Sequence, residues 1–185
     1  MKRVFSFIIL FLAFGLLFVS TAKAGEREDK LVLLAGAGDV DGVRALLDQG
    51  VDINAKRHGT GNTALCTAIS FYDSTQVQDH INIVKLLLAK GADINMMCLG
   101  GFTLLTIAAG NGDADIVRLL IDKGVDVNKK DEVGYTPLMS ANRMLEKGHV
   151  VGFDNSMHAS YQPLTPTEKQ AYMNVVQILK EAGAK

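Results

Sequence analysis

Apolar positions gather in four short blocks at helical spacing: Val43-Arg44-Ala45-Leu46-Leu47, Ile83-Val84-Lys85-Leu86-Leu87-Leu88, Ile116-Val117-Arg118-Leu119-Leu120-Ile121 and Val175-Val176-Gln177-Ile178-Leu179. Each predicts a helix that buries one face. A glycine follows every block, at 50, 91, 124 and 183. There it would end the helix in a left-handed conformation that costs most L-residues roughly 1–2 kcal/mol and glycine almost nothing. Three of these glycines open one recurring pentapeptide: Gly50-Val51-Asp52-Ile53-Asn54, Gly91-Ala92-Asp93-Ile94-Asn95 and Gly124-Val125-Asp126-Val127-Asn128. A truncated copy, Gly183-Ala184-Lys185, closes the series. The second and third copies lie 33 residues apart and the first and second 41, so the chain is a repeat array interrupted near its start.

A second helix precedes each block. Gly61-Asn62-Thr63-Ala64-Leu65, Gly101-Phe102-Thr103-Leu104-Leu105 and Gly134-Tyr135-Thr136-Pro137-Leu138 place threonine to cap a helix, with proline in the first turn of the last one. These segments resemble the Gly-x-Thr-Pro-Leu-His signature of the ankyrin-repeat family, and Ile107-Ala108-Ala109-Gly110-Asn111-Gly112-Asp113 resembles its continuation between the helices. The resemblance covers about residues 29 to 185. It implies an all-α solenoid of about four helix-turn-helix repeats with β-hairpin loops, at about 29–54, 58–95, 98–128 and 131–185. Each pair exposes an apolar face that only a stacked neighbour can bury. The family's signature histidine is replaced by Cys66, Thr106 and Met139. The charged stretch Glu26-Arg27-Glu28-Asp29-Lys30 and the closing Lys180, Glu181 and Lys185 look like polar caps.

Spacing locates the interruptions. Thr63 to Gly91 is seven residues longer than Thr103 to Gly124, which places an insertion at about 70–79, and the eighth extra residue falls in the preceding hairpin. Thr136 to Gly183 is longer by 26, an insertion of roughly 146–168 that is expected to form an ordered loop packed on the array. Its last residues, Thr165-Pro166-Thr167-Glu168, predict an early start for the final helix through a capping box.

The N-terminus follows a different pattern. Lys2 and Arg3 precede an uncharged run from Val4 to Val19, and Ala22 and Ala24 supply the small side chains of a signal-peptidase site. Residues 1–24 therefore read as a signal peptide, cleaved before Gly25; the alternative is an uncleaved anchor. The apolar run inflates the 48% hydrophobic content. Losing Lys2, Arg3 and Lys23 would move the formal charge from −1 to −4, with both signs interspersed. That balance gives no basic patch for nucleic acid, and no membrane attachment is expected after cleavage.

In the resembled family, hairpin tips and first helices form a concave groove that binds proteins. The matching positions are Arg57, His58, Asn62, Phe71 and Tyr72; then Met97, Leu99, Phe102 and Asn111; then Lys130, Glu132, Tyr135, Arg143 and Met144, with Thr60 and Val133 beside them. Met96, Met97, Leu99 and Phe102 make the middle hairpin unusually apolar, and an apolar cluster facing solvent calls for a partner. Cys66, at the signature-histidine position, and Cys98, in the hairpin which that position normally faces, are placed by the resemblance either for a disulfide or as two separate thiols with Cys66 buried.

Histidines 58, 80, 149 and 158 show no metal-ligand spacing and read as solvated loop residues. No nucleophile elbow, phosphate-binding Gly-Lys loop or His-Glu-x-x-His occurs. Asp39 and Asp113 fall where they would cap second helices, and Asp52, Asp93 and Asp126 recur in the hairpins, so the carboxylates have structural places. The expected protein is no enzyme and holds no resident cofactor or metal. It is expected to be a monomeric, periplasmic or secreted bacterial module that binds one protein partner as adaptor, inhibitor or immunity-type factor. Small exported ankyrin proteins resemble both immunity proteins and accessory factors of periplasmic enzymes such as catalases. An alternative is an accessory factor carrying a small molecule or haem through His149 or His158, and a third reading is end-to-end association of arrays.

Overall fold

The computed structural model describes residues 25–70, 77–153 and 159–185. The expected signal segment, Phe71, Tyr72 and His158 lie outside the described residues, and the side chains of 149–161 are not described. Eight helices follow in antiparallel pairs: α1 (25–36) and α2 (Val40–Asp48), α3 (Ala64–Ser70) and α4 (Val77–Ala89), α5 (Leu104–Asn111) and α6 (Ala114–Asp122), α7 (Pro137–Lys147) and α8 (Pro166–Glu181). First helices α3, α5 and α7 pack in one layer and second helices α2, α4, α6 and α8 in another. This is an all-α repeat solenoid.

The caps are those the sequence announces. Thr103 and Thr136 accept from the N–H groups of Thr106 (3.0 Å) and Met139 (3.3 Å). Asp39 and Asp113 do the same for Gly42 (2.9 Å) and Ile116 (3.0 Å), and Thr165 forms a full capping box with Glu168. Such a cap is worth about 1 kcal/mol, because it satisfies an N–H that the helix itself cannot. Equivalent apolar positions then interlock: Val43 and Leu46, Ile83 and Leu87, Ile116 and Leu120, and Val175 and Leu179 share one buried core from Leu31 to Leu179. Each such burial contributes roughly 1.5–3 kcal/mol.

The repeating hairpins are tight turns, not strands, each held by a closing N–H···O bond and a return bond from the glycine within it, Gly61, Gly101 or Gly134. Arg57 donates to the Asn62 carbonyl, Cys98 to that of Phe102 and Asp131 to that of Tyr135, each at 2.9 Å. The first of these closures spans one residue more than the other two, which is where the spacing places the eighth extra residue. The recurring Asp-x-Asn also has a mechanical reason. Asp52, Asp93 and Asp126 each accept from the N–H two residues on (2.9 Å), and the Asn54 side chain accepts from the Asp93 N–H of the next hairpin at 2.8 Å.

Both insertions depart from the expectation in detail. Helix α4 has 13 residues against nine in α6, so part of the first insertion is an added helical turn. His80 lies on that turn, 5% exposed, with Nε2 3.3 Å from the Gly36 carbonyl. It is a buried helical residue, which corrects the solvated-loop reading: the longer helix carries it against the end of α1. The second insertion is an antiparallel ribbon instead of a loop, β1 (His149–Phe153) with β2 (Ala159–Gln162) and a bulge between Val150 and Gly152. Gly148 makes the turn into it with φ +78°, and a side chain there would strike the Gln162 carbonyl.

Candidate functional site

The hairpins and first helices set one face of the solenoid. Between the third and fourth repeats it opens into a cleft of about 290 Å³ lined by Phe102, Thr106, Ile107, Asn111, Asp131, Val133, Tyr135, Ser140 and Arg143. A second hollow of about 370 Å³ adjoins it through Tyr135 and Arg143 and continues along α7 past Met139, Asn142, Glu146 and Lys147. The approach of α5 to α7 sets the depth: a side chain added at Gly110 would come within 2.8 Å of the Ser140 hydroxyl. Small residues on the facing helices leave the space that the aromatic residues then wall.

Apolar surface stands in water around this cleft. Leu99 is 62% exposed, Val133 61% and Phe102 37%. The Arg143 guanidinium lies 5.5 Å from the centroid of the Tyr135 ring, a contact worth about 0.5–1 kcal/mol at an exposed site, and it forms no ion pair among the described residues. Asp131 is 6% exposed. Its Oδ1 accepts from the N–H groups of Val133 (3.0 Å) and Tyr135 (2.8 Å), while its Oδ2 is buried with no partner among the described residues.

Of the residues singled out in the sequence, the cleft brings together Phe102, Asn111, Val133, Tyr135 and Arg143. Several of the residues singled out hold the array together. Asn62 accepts from the Leu99 N–H at 2.7 Å, and Asn111 donates to the Ile69 carbonyl at 2.9 Å. His58 meets Asp29 through its N–H (2.9 Å) and Nδ1 (3.2 Å), and those contacts hold the Asp29 carboxyl below its ordinary range, the backbone N–H being the larger cause. Arg57, Met97 and Met144 are half-buried and Lys130 and Glu132 exposed, outside the cleft lining. The Glu132 N–H donates to the Gly101 carbonyl at 3.0 Å. Sequence reasoning left Thr106, Ile107, Asp131 and Ser140 out of the groove. The one signal available was the small residue at position 106, where the family signature has a histidine.

One repeat earlier the same positions are filled covalently. Cys66 on α3 and Cys98 in the following hairpin form a disulfide, 0% and 6% exposed, with Cα atoms 5.6 Å apart. Cys66 corresponds to Thr106 and Cys98 to Asp131, so the staple occupies the place where the next junction lines the cleft. Burial also raises the Asp113 carboxyl above its ordinary value at the α6 cap. No group of His, Cys, Asp and Glu suited to a metal ion occurs among the described residues, and no described helix is long and apolar enough to cross a membrane.

Fold and site together define a stacked helix-pair solenoid with a binding face built from hairpins and first helices. A family model for ankyrin repeats in three copies matches residues 13–98 and again 74–151, and the chain belongs to the ankyrin-repeat family. That match ends inside β1, where the second insertion leaves the family pattern. A comparison with curated proteins returns no match. Ankyrin repeats point to a protein–protein interaction module, of a kind that is typically non-catalytic.

Proposed function

We propose that this chain is an exported ankyrin module that holds one periplasmic protein on its concave face, acting as an adaptor or inhibitor of that partner. The observation that carries the reading is the apolar-walled cleft between the third and fourth repeats, with Phe102 and Val133 exposed beside it. Apolar side chains held in water at the mouth of a cleft gain the free energy of burial only when a partner covers them. At about 290 Å³ the cleft lies at the small end of the roughly 300–1,000 Å³ typical of small-molecule sites, a size that suits one or two anchoring side chains. Export is supported by the disulfide, which persists in oxidising compartments and is rare in reducing ones, and by the apolar N-terminal run with its small-residue site.

The test expresses the full chain in a bacterial host, fractionates the cells, and captures partners from periplasmic extract on the wild type and on Phe102→Glu. The reading expects processing before Gly25, periplasmic recovery, and a protein held by the wild type and lost from a variant with unchanged circular dichroism. Equal retention by both forms would remove the cleft from the account.

A further inference from the structure

We propose that the cleft between the third and fourth repeats is an anchor site for an acidic segment of the partner. One hydrophobic side chain of that segment enters among Phe102, Ile107 and Val133, and a neighbouring carboxylate lies on Arg143. The inference rests on the concave-face reading and specifies the chemistry that face selects.

Arg143 carries the argument. Its guanidinium is exposed at the cleft wall and in contact with the Tyr135 ring, yet no carboxylate of the described residues pairs with it. Contact with a ring face leaves the N–H edge of a guanidinium available, and that edge matches a carboxylate in two parallel hydrogen bonds. Part of the entropy of holding the long side chain is already spent against the ring, so a carboxylate finds it pre-oriented. The apolar lining lies in the same cleft, which puts a hydrophobic contact and a charged one within reach of adjacent residues of one extended segment.

The other charges choose among ligands. A lysine-tipped segment would meet Arg143, with Lys147 one helical turn further along the adjoining hollow. Asp131 lines the same cleft, but its Oδ1 already accepts two N–H bonds and its Oδ2 is buried, so it acts on a charged ligand through space and not by direct contact. A doubly charged phosphate would face Asp131 in the cleft and Glu146 beside it, whereas a single carboxylate carries less charge against those two.

The test titrates the purified protein from the full chain with blocked five-residue peptides carrying one phenylalanine flanked by two glutamates, by two lysines or by two serines. Amide NMR shifts report the site. The glutamate peptide is expected to shift residues of the 98–102 and 131–135 hairpins, to bind about tenfold more tightly than the lysine peptide, and to lose about tenfold on Arg143→Gln, the order of one charge-assisted pair. Raised salt should weaken it further. The serine peptide should bind wild type and Arg143→Gln alike, which shows the variant's cleft intact. Lysine binding as tight as glutamate binding, or glutamate binding indifferent to Arg143→Gln, would overturn the carboxylate inference. No peptide shifts at the cleft would overturn the anchor, while loss of partner capture on Phe102→Glu still upheld the concave-face reading.

Discussion

Two neighbouring junctions of the solenoid use equivalent positions in opposite ways. Between the second and third repeats, Cys66 and Cys98 are bonded and buried, and Asn62 ties the flanking hairpin through the Leu99 N–H. Between the third and fourth, the corresponding Thr106 and Asp131 line an open cleft, and one Asp131 carboxylate oxygen has no partner among the described residues. That junction keeps a comparable hairpin tie, from the Glu132 N–H to the Gly101 carbonyl, but has no covalent staple, and it is further secured at the far end of α5. There Tyr172 of α8 is 2% exposed, donates its hydroxyl to the Gly110 carbonyl at 2.9 Å, and lays its ring against Gly112. Gly112 has φ +74°, and a side chain at that position would come within 3.1 Å of the ring, so the glycine is needed both for the turn and for the packing. A repeat array has the same material at every junction, and here one copy is stapled covalently at the binding face while the next, tied there by a single hairpin hydrogen bond and packed behind by Tyr172, leaves a cleft at its face.

The largest effect should come from removing the rear fastening. Tyr172→Ala deletes a buried ring and its hydrogen bond and is expected to cost about 3–5 kcal/mol in urea unfolding. Tyr172→Phe should cost only about 1 kcal/mol, the net value of one hydrogen bond. If both variants cost alike, the ring's packing is not what holds the junction. Next in size is the covalent fastening. Cys66→Ala with Cys98→Ala is expected to lose about 3–4 kcal/mol for a closed loop of this length, and reduction of the wild type should lower its midpoint in the same direction. Since the staple lies one junction away from the cleft, partner binding measured under native conditions should survive the change.

A smaller substitution would make the two junctions alike. Thr106→His restores the family's signature histidine at the open junction and offers Asp131 a partner. We expect a gain of about 1 kcal/mol, read as a higher urea midpoint, together with loss of partner binding as the imidazole fills the cleft. A gain without loss of binding would separate the cleft from recognition. The smallest effect is electrostatic. Burial raises the Asp113 carboxyl in the folded state, so its contribution to stability is fully present below pH 3.8 and is lost as pH rises through the raised folded value. Asp113→Asn keeps a capping oxygen and removes that titration. Its stability relative to the wild type should therefore rise as pH increases through that window, by unfolding midpoints compared on either side of it.

The array itself was open to sequence reading because it rests on local rules. Glycines at 50, 91, 124 and 183 end helices, threonines at 103, 136 and 165 begin them, and the apolar blocks keep one helical period. What escaped depends on distances between repeats. Whether Cys66 reaches Cys98 is set by how two pairs stack, which spacing alone leaves open. His80 departs from the loop reading because part of the first insertion is helix, an added turn at the start of α4. The ribbon of residues 149–162 was missed because each strand is only four or five residues long and lacks clear alternation of apolar and polar positions. The cleft, finally, is made as much by what is small, Thr106, Gly110 and Ser140, as by Phe102 and Tyr135. A search for apolar and charged groove residues passes over such positions.

Amide hydrogen exchange on the protein, with and without its captured partner, tests the division between fastened and open junctions most directly. The account predicts new protection in the 98–102 and 131–135 hairpins and the first turns of α5 and α7, with the 57–62 hairpin unchanged. Protection confined to the outer helices α4, α6 and α8, or to the ribbon at 149–162, would contradict it.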